Sequence, residues 1–449
     1  MRVIGIVSEY NPYTNGHEYL VREVRQKVGD ERAVVISVMS GPITQRGIPA
    51  LLPKHSRAKA CLVSSKQKKD KSFYGSDLVL ELPLCFSCAP ASEFAAGAVK
   101  TLTATGVLTD IAFGIDINDF SLVEKLAKYD NEIKTSSEYS TLLKSKLSEG
   151  SSFPSASAFA TINAINANIE LKEAFADTDP ESISEALRKP NSILAFEYLK
   201  EINNYNRLNK SHPINVHMIR RRGEDYSSQN ISCYASASAI RSKIYDDISQ
   251  IDSVAHLAKE LAGHMPDHSL AVMLEDLSFK RYRLPSYKEY CRDILDRISA
   301  MSPSELEEYA YMGDELASYL KNKVNSKLND ETLDIGLWEK EMTTKHFTSG
   351  RINRACSSLL IGRKRDMAGP DIKPLYIRVL GFNNDGRYCL KVMSKCAKLP
   401  VIHNLSDFKT CSEEIKRMAE LDIIAANIQG KYLHMPLNYE WEEMPIIIK

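Results

Sequence analysis

The chain begins with an apolar run, residues 3–7, which is followed by a polar turn and then by helical spacing. The run has the length of a buried strand, and the spacing over residues 18–27 is that of an amphipathic helix. A second apolar run, residues 33–38, fits a second strand. Because a strand–helix–strand unit within one sheet crosses over between parallel strands, this pattern predicts the start of a parallel sheet.

Three later apolar runs continue the same pattern. They predict further strands at residues 78–82, 111–114 and 216–219. Beyond residue 247 the pattern changes, and residues 252–330 are predominantly helical in spacing. We therefore predict an α/β fold with a doubly wound parallel sheet of the Rossmann type in residues 1–247, and a mainly helical region in residues 248–449.

The composition is that of a globular protein whose 449 residues suffice for two or three domains. Lysine and arginine balance aspartate and glutamate, 58 against 58, so the whole-molecule charge says nothing about partners. Nine cysteines form no paired framework, which favours a reducing, cytoplasmic setting. Cys85 and Cys88 form a lone C-x-x-C that we expect to be buried rather than to bind zinc. No apolar run reaches the roughly 18 residues of a membrane span, so we expect no membrane partner.

The charge is unevenly distributed, however. Residues 345–398 carry twelve lysines and arginines against three aspartates, a net charge of +9. Such a segment could simply face water, but in a neutral chain this excess favours contacts with the phosphates of RNA. Tyr376, Phe382 and Tyr388 lie among these charges and could stack on unpaired bases, although we expect at least two of them to be core residues.

The first turn holds a short motif, T-x-G-H, at Thr14, Gly16 and His17. A strand that leads through a glycine-containing turn into a helix start is an anion-binding arrangement, because the first amides of the helix have no internal partners. A histidine after glycine could also be a surface or capping residue. In this context the motif is typical of nucleotidyltransferases, which bind a nucleoside triphosphate and direct attack at its α-phosphate.

A second motif, S-x-S-x-I-R, contains Ser236, Ser238 and Arg241. By itself it would be an ordinary capped helix. After a T-x-G-H motif, its hydroxyls and helix amides would hold the β and γ oxygens of a triphosphate, and its arginine would neutralise the leaving pyrophosphate. We therefore predict catalytic roles for Thr14, His17 and Arg241.

With these motifs the chain resembles the bacterial tRNA-Met cytidine acetate ligases, a branch of the nucleotidyltransferase superfamily. The resemblance rests on seven further blocks: V-x-E-Y-N-P-x-x-N-G-H (7–17), V-M-S-G-x-x-x-Q-R-G-x-P-A (38–50), D-L-V-x-E-L-P (77–83), F-A-x-G-A-V (94–99), F-G (113–114), K-P-N-x-I-L-A-x-E-Y (189–198) and I-R-R (219–221). This family usually has histidine where the chain has Thr14.

The resemblance implies that acetate and ATP form acetyl-adenylate, and that the acetyl group passes to the wobble cytidine of elongator tRNA-Met to give N4-acetylcytidine. Mg²⁺ would share the neutralisation of phosphate charge, with no metal ligand assigned in the protein. Together with the serine motif, the resemblance gives the expected ATP contacts: Val7, Ser8, Glu9, Tyr10, Asn11, Pro12, Tyr13, Thr14, Asn15, Gly16, His17, Glu18, Tyr19, Leu20, Gly114, Asn191, Arg220, Arg221, Ser236 and Ser238.

The expected tRNA contacts lie in the basic segment, and no DNA partner is expected. They are Lys345, Arg351, Arg354, Arg363 and Lys364. Four further basic residues could either lie on a solvated helix face or contact substrate: Arg46, Lys54, Arg57 and Lys59. Two alternatives stay open: an adenylyltransferase acting on a small metabolite, and a non-catalytic RNA-binding protein that kept a nucleotide fold. The basic segment speaks against the first, and intact Gly16, His17 and Arg241 speak against the second.

Overall fold

The computed structural model describes residues 2–30, 32–63, 74–222, 234–247, 254–327 and 335–449. These residues contain eight strands: β1 (Val3–Ser8), β2 (Val34–Ser40), β3 (Leu78–Leu82), β4 (Asp110–Ile115), β5 (Asn215–Arg220), β6 (Ile377–Phe382), β7 (Val401–Ile402) and β8 (Ile446–Ile447). All eight belong to one sheet, in which the order is β5-β4-β1-β2-β3-β6-β7 and β8 pairs with β6.

The five strands from β1 to β5 run parallel to one another. The chain builds β2 and β3 on one side of β1 and then returns to build β4 and β5 on the other side. This doubly wound order confirms the predicted fold class. Ligands of such sheets bind outside the carboxyl ends of the strands, where the order reverses. Here that point lies between β1 and β4.

Continuous apolar sequences form the central strands because helices cover both faces of the sheet. Every residue of β2 and β3 is buried, and their register pairs Ile36 with Leu78. The described helices that precede residue 248 are α1 (Asn15–Val28), α2 (Lys54–Val63), α3 (Leu84–Ser87), α4 (Ala91–Ala104), α5 (Phe120–Lys128), α6 (Asp130–Lys134), α7 (Ser137–Ser148), α8 (Phe153–Ala167), α9 (Ile169–Ala174), α10 (Pro180–Ala186), α11 (Pro190–Leu208) and α12 (Ala237–Asp247).

The later part of the chain is mainly helical, as its spacing predicts. Its helices are α13 (Val254–Leu261), α14 (Asp267–Ser278), α15 (Tyr287–Ala300), α16 (Pro303–Leu306), α17 (Asp314–Lys327), α18 (Ile335–Met342), α19 (Ser349–Ile361), α20 (Asn384–Cys396) and α21 (Glu413–Tyr432). In the described residues, no helix combines the length and the apolar character needed to cross a membrane.

The sheet continues past the boundary that we predict at residue 247. β6 comes from the basic segment and pairs antiparallel with β3, in the register Leu78 to Phe382. β7 and β8 then extend the sheet beyond β6. A division at residue 247 would therefore cut across one sheet, and residues 248–449 contribute to the core of the α/β layer as well as forming helices.

The three aromatic residues of the basic segment divide as expected. Tyr376 and Phe382 are buried at the two ends of β6, whereas Tyr388 on α20 is 59% exposed. Cys85 and Cys88 are buried free thiols, as the sequence predicts. Burial raises the pKa of Cys85 to about 12 and that of Cys88 to about 11. Both thiols are therefore protonated packing residues at neutral pH.

Four charged side chains lie together under the sheet. Lys54 Nζ on α2 is 2.7 Å from Glu81 Oε1 on β3 and also binds Glu440, while Arg378 Nη1 on β6 lies 3.2 Å from Glu81 Oε2 and 3.3 Å from Glu440 Oε2. All four are nearly or fully buried. Burial alone would raise the pKa of Glu440, but the charges of Lys54 and Arg378 hold it below its ordinary value. Both predicted alternatives for Lys54, a solvent-facing position and a contact with substrate, were wrong, because its side chain is enclosed in this cluster.

Candidate active site

The two predicted phosphate motifs line one cavity, which lies at the carboxyl ends of β1, β4 and β5 and which we call the strand-end cavity. Its volume is about 280 Å³. The lining is formed by Val7, Ser8, Glu9, Tyr10, Asn11, Thr14, Gly16, His17, Tyr19, Leu20, Gln45, Arg46, Phe94, Phe113, Gly114, Pro190, Asn191, Leu194, Tyr198, Ile219, Arg220, Arg221, Arg222, Tyr234, Ala235, Ser236, Ala237, Ser238 and Arg241. The starts of α1 and α12 therefore face the same space.

The first wall is the start of α1. Thr14 is its N-cap residue, and the helix begins with a capping box in which His17 occupies the position usually held by glutamate. The backbone N–H of Thr14 donates to His17 Nδ1 over 2.9 Å, and Thr14 Oγ1 lies 3.0 Å from the same nitrogen. Because Nδ1 accepts a hydrogen bond from an amide, the proton of the neutral ring belongs on Nε2.

The ring of His17 is enclosed by two aromatic side chains. It stacks on Tyr13 with centroids 5.4 Å apart and meets the edge of Tyr10 at 4.9 Å. This burial, together with the charge of Arg221, lowers the pKa of His17 to about 3. His17 is therefore a neutral donor through Nε2 at physiological pH, and its ring orientation is fixed by Thr14 and the two tyrosines.

Gly16 lies in the first turn of α1. A Cβ atom at this position would be 3.5 Å from Thr14 Oγ1, which is an ordinary contact distance. Its neighbours therefore do not require glycine here. Close approach of a phosphate to the backbone at the start of α1 would favour glycine here, because glycine has no side chain to obstruct that approach.

The second wall is the start of α12. Ser236 Oγ accepts from the amide of Ala239 and caps the helix. Arg241 Nη2 donates to Ser238 Oγ over 3.0 Å, and its Nη1 donates to the carbonyl oxygen of Asn11 over 2.6 Å. Arg241 thus connects the late helix to the loop before α1, and it places a guanidinium at the border of the strand-end cavity.

The third wall follows β4 and β5. Asn191 Nδ2 donates to Asp116 Oδ2 over 2.8 Å, and Arg221 Nε lies 3.5 Å from Asp116 Oδ1. A Cβ at Gly114 would be 3.0 Å from Arg221 Cγ. Asp116 therefore orients two predicted ATP contacts, although our sequence analysis did not single it out. The available signal was its position directly after a buried strand of the parallel sheet.

The loop after β2 closes the cavity beside β1. Glu9 Oε1 accepts from the backbone N–H of Gln45 over 2.7 Å. Arg57 is fully buried and donates to the carbonyl oxygens of Glu9 and Ser40 over 2.7 and 3.0 Å, and also to that of Gly41. Arg57 therefore contacts neither solvent nor the cavity, so both predicted alternatives for it were wrong. It holds the loop on which Glu9 and Gln45 lie.

Aromatic side chains form the remaining walls. Phe113 and Tyr198 pack at 5.3 Å between centroids, and burial followed by the charge of Glu9 raises the pKa of the Tyr198 hydroxyl. On another side the guanidinium of Arg222 lies 4.6 Å from the centroid of Tyr19, which meets Tyr234 edge-on. These surfaces give the polar cavity flat apolar walls that could pack against a base or a methyl group.

Four residues of the predicted 7–20 block lie outside the lining. Pro12 and Tyr13 are buried, and the hydroxyl of Tyr13 donates to the carbonyl oxygen of Tyr74. Asn15 Nδ2 is 3.5 Å from the carbonyl oxygen of Gly263. The remaining one, Glu18, faces His268 at 3.6 Å. Their positions support roles in shaping the start of α1 rather than in direct contact with a nucleotide.

The five predicted tRNA contacts separate into different environments. Lys345 and Arg351 are exposed, and Arg351 lies 5.0 Å from the centroid of Phe347. Arg354 is half-buried and donates to the carbonyl oxygen of Gln45 over 3.3 Å. Lys364 pairs with Glu308 at 2.7 Å.

The fifth predicted contact, Arg363, is wrong as a surface residue. It is 1% exposed and donates to the carbonyl oxygens of Cys85, Cys88 and Met367. Three backbone carbonyls compensate the cost of burying its charge, so it fixes α3 and its C-cap residue, Cys88. Because Arg378 is buried as well, the net charge of +9 overstates what the basic segment presents to an RNA.

The same geometry bears on metal binding. Within the ranges that the structure describes, no group of three or more histidine, cysteine or acidic side chains could hold a metal ion. Glu9 supplies a carboxylate to the strand-end cavity. Mg²⁺ is commonly bound through substrate phosphates, waters and one or two carboxylates, so these residues fit an ion that arrives with a nucleotide.

The α/β fold and the two helix starts around one cavity are typical of nucleotidyltransferases. Comparison with known proteins agrees, since the HIGH Nucleotidyl Transferase family matches residues 1–442. The tRNA(Met) cytidine acetate ligase of Acetivibrio thermocellus is 32% identical over 437 residues, covering 95% of this chain and 94% of that protein. The chain therefore belongs to the tRNA(Met) cytidine acetate ligase family of HIGH nucleotidyl transferases.

Solved structures extend the similarity to three dimensions. The apo crystal structure of Thermotoga maritima TmcAL matches this chain with a TM-score of 0.80 at 26% identity, over the whole of both chains. A structure of the same protein bound with alpha-thio ATP matches with a TM-score of 0.77, over 100% of this chain and 99% of that one.

Proposed function

We propose that this protein is an ATP-dependent ligase that activates acetate and acetylates the wobble cytidine of elongator tRNA-Met. In the first step a carboxylate oxygen of acetate attacks the α-phosphorus of ATP, and the bond to pyrophosphate breaks. In the second step the exocyclic amine of cytidine attacks the acetyl carbonyl carbon of acetyl-adenylate. AMP leaves, the amine loses one proton, and N4-acetylcytidine remains in the RNA.

One observation carries the proposal: the starts of α1 and α12, about 220 residues apart, border one cavity at the carboxyl ends of the parallel strands. Helix starts offer unpaired amides to anions. A triphosphate between them would meet donors at both ends, so the α-phosphate could face one helix and the leaving pyrophosphate the other. The family membership and the alpha-thio ATP complex of the Thermotoga maritima protein support the same reading.

The residues of the cavity divide the chemical work. His17, as a neutral Nε2 donor, would stabilise the charge that grows on the α-phosphate as acetate attacks. Arg241 and the hydroxyls of Ser236 and Ser238 would bind the departing pyrophosphate. Catalysis in this scheme is positioning and charge stabilisation, so it needs no serine or cysteine nucleophile.

Mg²⁺ bound to the phosphates would supply further charge neutralisation. Glu9, whose carboxylate lines the cavity, would hold this ion. The residues of the protein would still set the direction of attack. A cytoplasmic location fits the proposal as well, since the tRNA substrate is found there. The basic residues that remain accessible, Lys345, Arg351, Arg354 and Lys364, would provide contacts to the RNA backbone.

One assay separates this function from its alternatives. Purified protein is incubated with ATP, labelled acetate and tRNA-Met transcript, and nucleosides are analysed after digestion. Labelled N4-acetylcytidine at the wobble position is the expected result. ATP consumption without label in the RNA would instead indicate an adenylyltransferase for a small metabolite. A protein that binds the transcript but consumes no ATP would be an RNA-binding protein without this catalysis.

A further inference from the structure

A second and larger cavity adjoins the strand-end cavity. Its volume is about 1070 Å³, and we call it the lateral cleft. It lies between the helices that follow β4 and the start of α19. The lining is formed by Gln45, Pro90, Ala91, Ser92, Leu126, Asp130, Ile133, Lys134, Leu147, Ser148, Ser151, Phe153, Pro154, Ser157, Thr161, Leu187, Ile193, Phe196, Glu197, Glu315, His346, Phe347, Thr348, Arg351 and Arg354.

One side of the lateral cleft is basic. Arg351 and Arg354 project from α19, and both also line a neighbouring depression of about 410 Å³ that includes Arg365. The exposed carboxylate on this rim is that of Glu315. The α19 side therefore offers more positive than negative charge to whatever enters, and it is continuous with a further basic surface.

The opposite side of the cleft is neutral, because its charges are paired. Lys134 binds Asp130 over 2.8 Å, and Lys200 binds Asp130 and Glu197 over 3.1 and 2.9 Å. Phe153, at the start of α8, lines this side with 59% of its surface exposed. An exposed ring opposite a basic rim is the combination on which unpaired bases stack while their phosphates meet arginine.

Gln45 lines both cavities and is the wall between them. Its backbone N–H binds Glu9, its carbonyl oxygen accepts from Arg354, and its side-chain Nε2 donates to the carbonyl oxygen of Ala89 over 3.2 Å. The carbonyl of Ala89 requires a donor, so it fixes which end of the amide is nitrogen. The side-chain oxygen of Gln45 is then an acceptor at the boundary, suited to an amine N–H.

We propose that the lateral cleft binds the unpaired nucleotides around the acceptor cytidine, and that Gln45 positions the exocyclic amine of that base where the two cavities meet. This inference rests on the proposed function and specifies where its RNA substrate enters. Phe153 stacks on a flanking base, and Arg351 contacts a phosphate. As the amine forms its bond to the acetyl carbon, the bond from that carbon to the AMP oxygen breaks, and the released proton passes to Glu9 or to solvent.

The decisive experiment measures two reactions with the full-length protein. Acetate-dependent exchange of labelled pyrophosphate into ATP, without RNA, reports on the strand-end cavity. Acetyl transfer to tRNA-Met transcript gives KM and kcat for the RNA step. Phe153→Ala and Arg351→Ala test the two sides of the lateral cleft. Their matched controls are Phe159→Ala, an exposed ring on the same helix, and the exposed Lys391→Ala in the same basic segment; neither control residue lines the cleft.

Both cleft variants are expected to raise the KM for RNA roughly tenfold, as the loss of one stacked base or phosphate contact does. Neither control should change it by more than about twofold. If the wild-type protein acetylates RNA but both cleft variants keep its KM and affinity for RNA, the proposal that the lateral cleft binds RNA is overturned. If the wild-type protein neither exchanges pyrophosphate nor acetylates RNA, the proposed function is wrong. The affinities of the same variants for the transcript then still decide whether RNA binds in the lateral cleft.

Gln45→Ala tests the positioning role separately, because the bond from the backbone to Glu9 is retained. The rate of acetyl transfer should fall relative to the rate of pyrophosphate exchange by roughly 100-fold, the size expected when a reacting group is misplaced. Gln45→Asn keeps both the amide oxygen and the amide donor on a shorter side chain and should recover part of that ratio. An unchanged ratio in Gln45→Ala would show that this side chain does not position the amine.

Discussion

At the scale of single residues, His17 depends on its surroundings for its chemical form. The amide of Thr14 occupies Nδ1, and the rings of Tyr10 and Tyr13 pack against the imidazole. The imidazole is therefore neutral and donates through Nε2, so the T-x-G-H motif contributes an oriented dipole instead of a cation. Thr14 serves this arrangement as the helix cap.

This state of His17 makes a prediction about pH. Its folded pKa of about 3 lies below the ordinary value of 6.5, so the neutral form persists as pH falls through 6.5 and is lost only near pH 3. The kcat/KM for acetate-dependent pyrophosphate exchange, which reports on groups of the unliganded enzyme, should therefore show no acidic limb from His17 near pH 6.5. An acidic limb with an apparent pKa near 6.5 that disappears in His17→Gln would contradict a neutral, buried imidazole.

A second prediction concerns Gly16, where the fold leaves room for a methyl group. Gly16→Ala should leave the thermal midpoint within a few degrees of the wild-type value, because the added Cβ meets Thr14 Oγ1 at an ordinary distance. It should reduce pyrophosphate exchange at least roughly 100-fold by blocking the amides that receive phosphate. Full exchange activity in a well-folded Gly16→Ala protein would place the phosphates elsewhere.

The sequence could predict these residues because local chemistry defines them. T-x-G-H follows the first strand directly, so strand, turn and helix start are all visible in twenty consecutive residues. Asp116 was missed because its significance depends on two distant partners, Asn191 and Arg221, which only the folded sheet brings to it. Arg363 was misassigned because a basic residue among basic neighbours gives no sign that backbone carbonyls will enclose it.

At the scale of elements, the candidate site is the meeting of two helix starts on one sheet edge. Arg241 connects them, since its guanidinium donates both to Ser238 on its own helix and to the carbonyl oxygen of Asn11 before α1. A planar guanidinium can make both bonds and still present charge to a phosphate, whereas an ammonium group cannot reproduce this fork.

Arg241→Lys tests that connection while keeping the charge. We expect the kcat for pyrophosphate exchange to fall at least roughly tenfold, because one bridging bond and the guanidinium geometry are lost. Affinity for tRNA-Met transcript should stay close to the wild-type value, since the helix start lies in the strand-end cavity. Wild-type exchange kinetics in this variant would mean that a positive charge alone is sufficient for catalysis and that the two guanidinium hydrogen bonds do not contribute.

The parallel elements were predictable, whereas the antiparallel extension was not. Apolar runs with helices between them predict β1 to β5, because each strand is joined to the next by a crossover. β6 pairs with β3 although about 300 residues separate them. Its sequence, I-R-V-L-G-F, has one charged residue, Arg378, and nothing near it in the sequence shows that Glu81 and Glu440 compensate this charge inside the molecule.

At the scale of the whole molecule, a buried ion cluster joins parts of the chain that are far apart in sequence. Lys54, Glu81, Arg378 and Glu440 come from α2, β3, β6 and the last residues, and each positive charge meets both carboxylates. Breaking such a cluster costs more than forming it gains, because the remaining partners are left as uncompensated buried charges. The cluster therefore favours one specific docking of the C-terminal segment on the sheet.

Lys54→Met should lower the free energy of unfolding by roughly 3–5 kcal/mol, because two buried carboxylates would then share Arg378 alone. The matched control is Lys59→Met on the same helix. The side chain of its partner Glu275 is 47% exposed, so the loss should stay below about 1 kcal/mol. Urea denaturation of both variants checks the difference. If both variants lose the same free energy of unfolding, burial of the cluster does not increase its contribution to stability.

The central claim is that ATP lies between the starts of α1 and α12. A crystal structure of this protein with an ATP analogue that resists cleavage at the α-phosphate tests it most directly. The account predicts the α-phosphate within hydrogen-bonding distance of the Gly16 amide and of His17 Nε2, with the β- and γ-phosphates beside Ser236, Ser238 and Arg241. A triphosphate found in the lateral cleft, or with its phosphates pointing away from both helix starts, would contradict it.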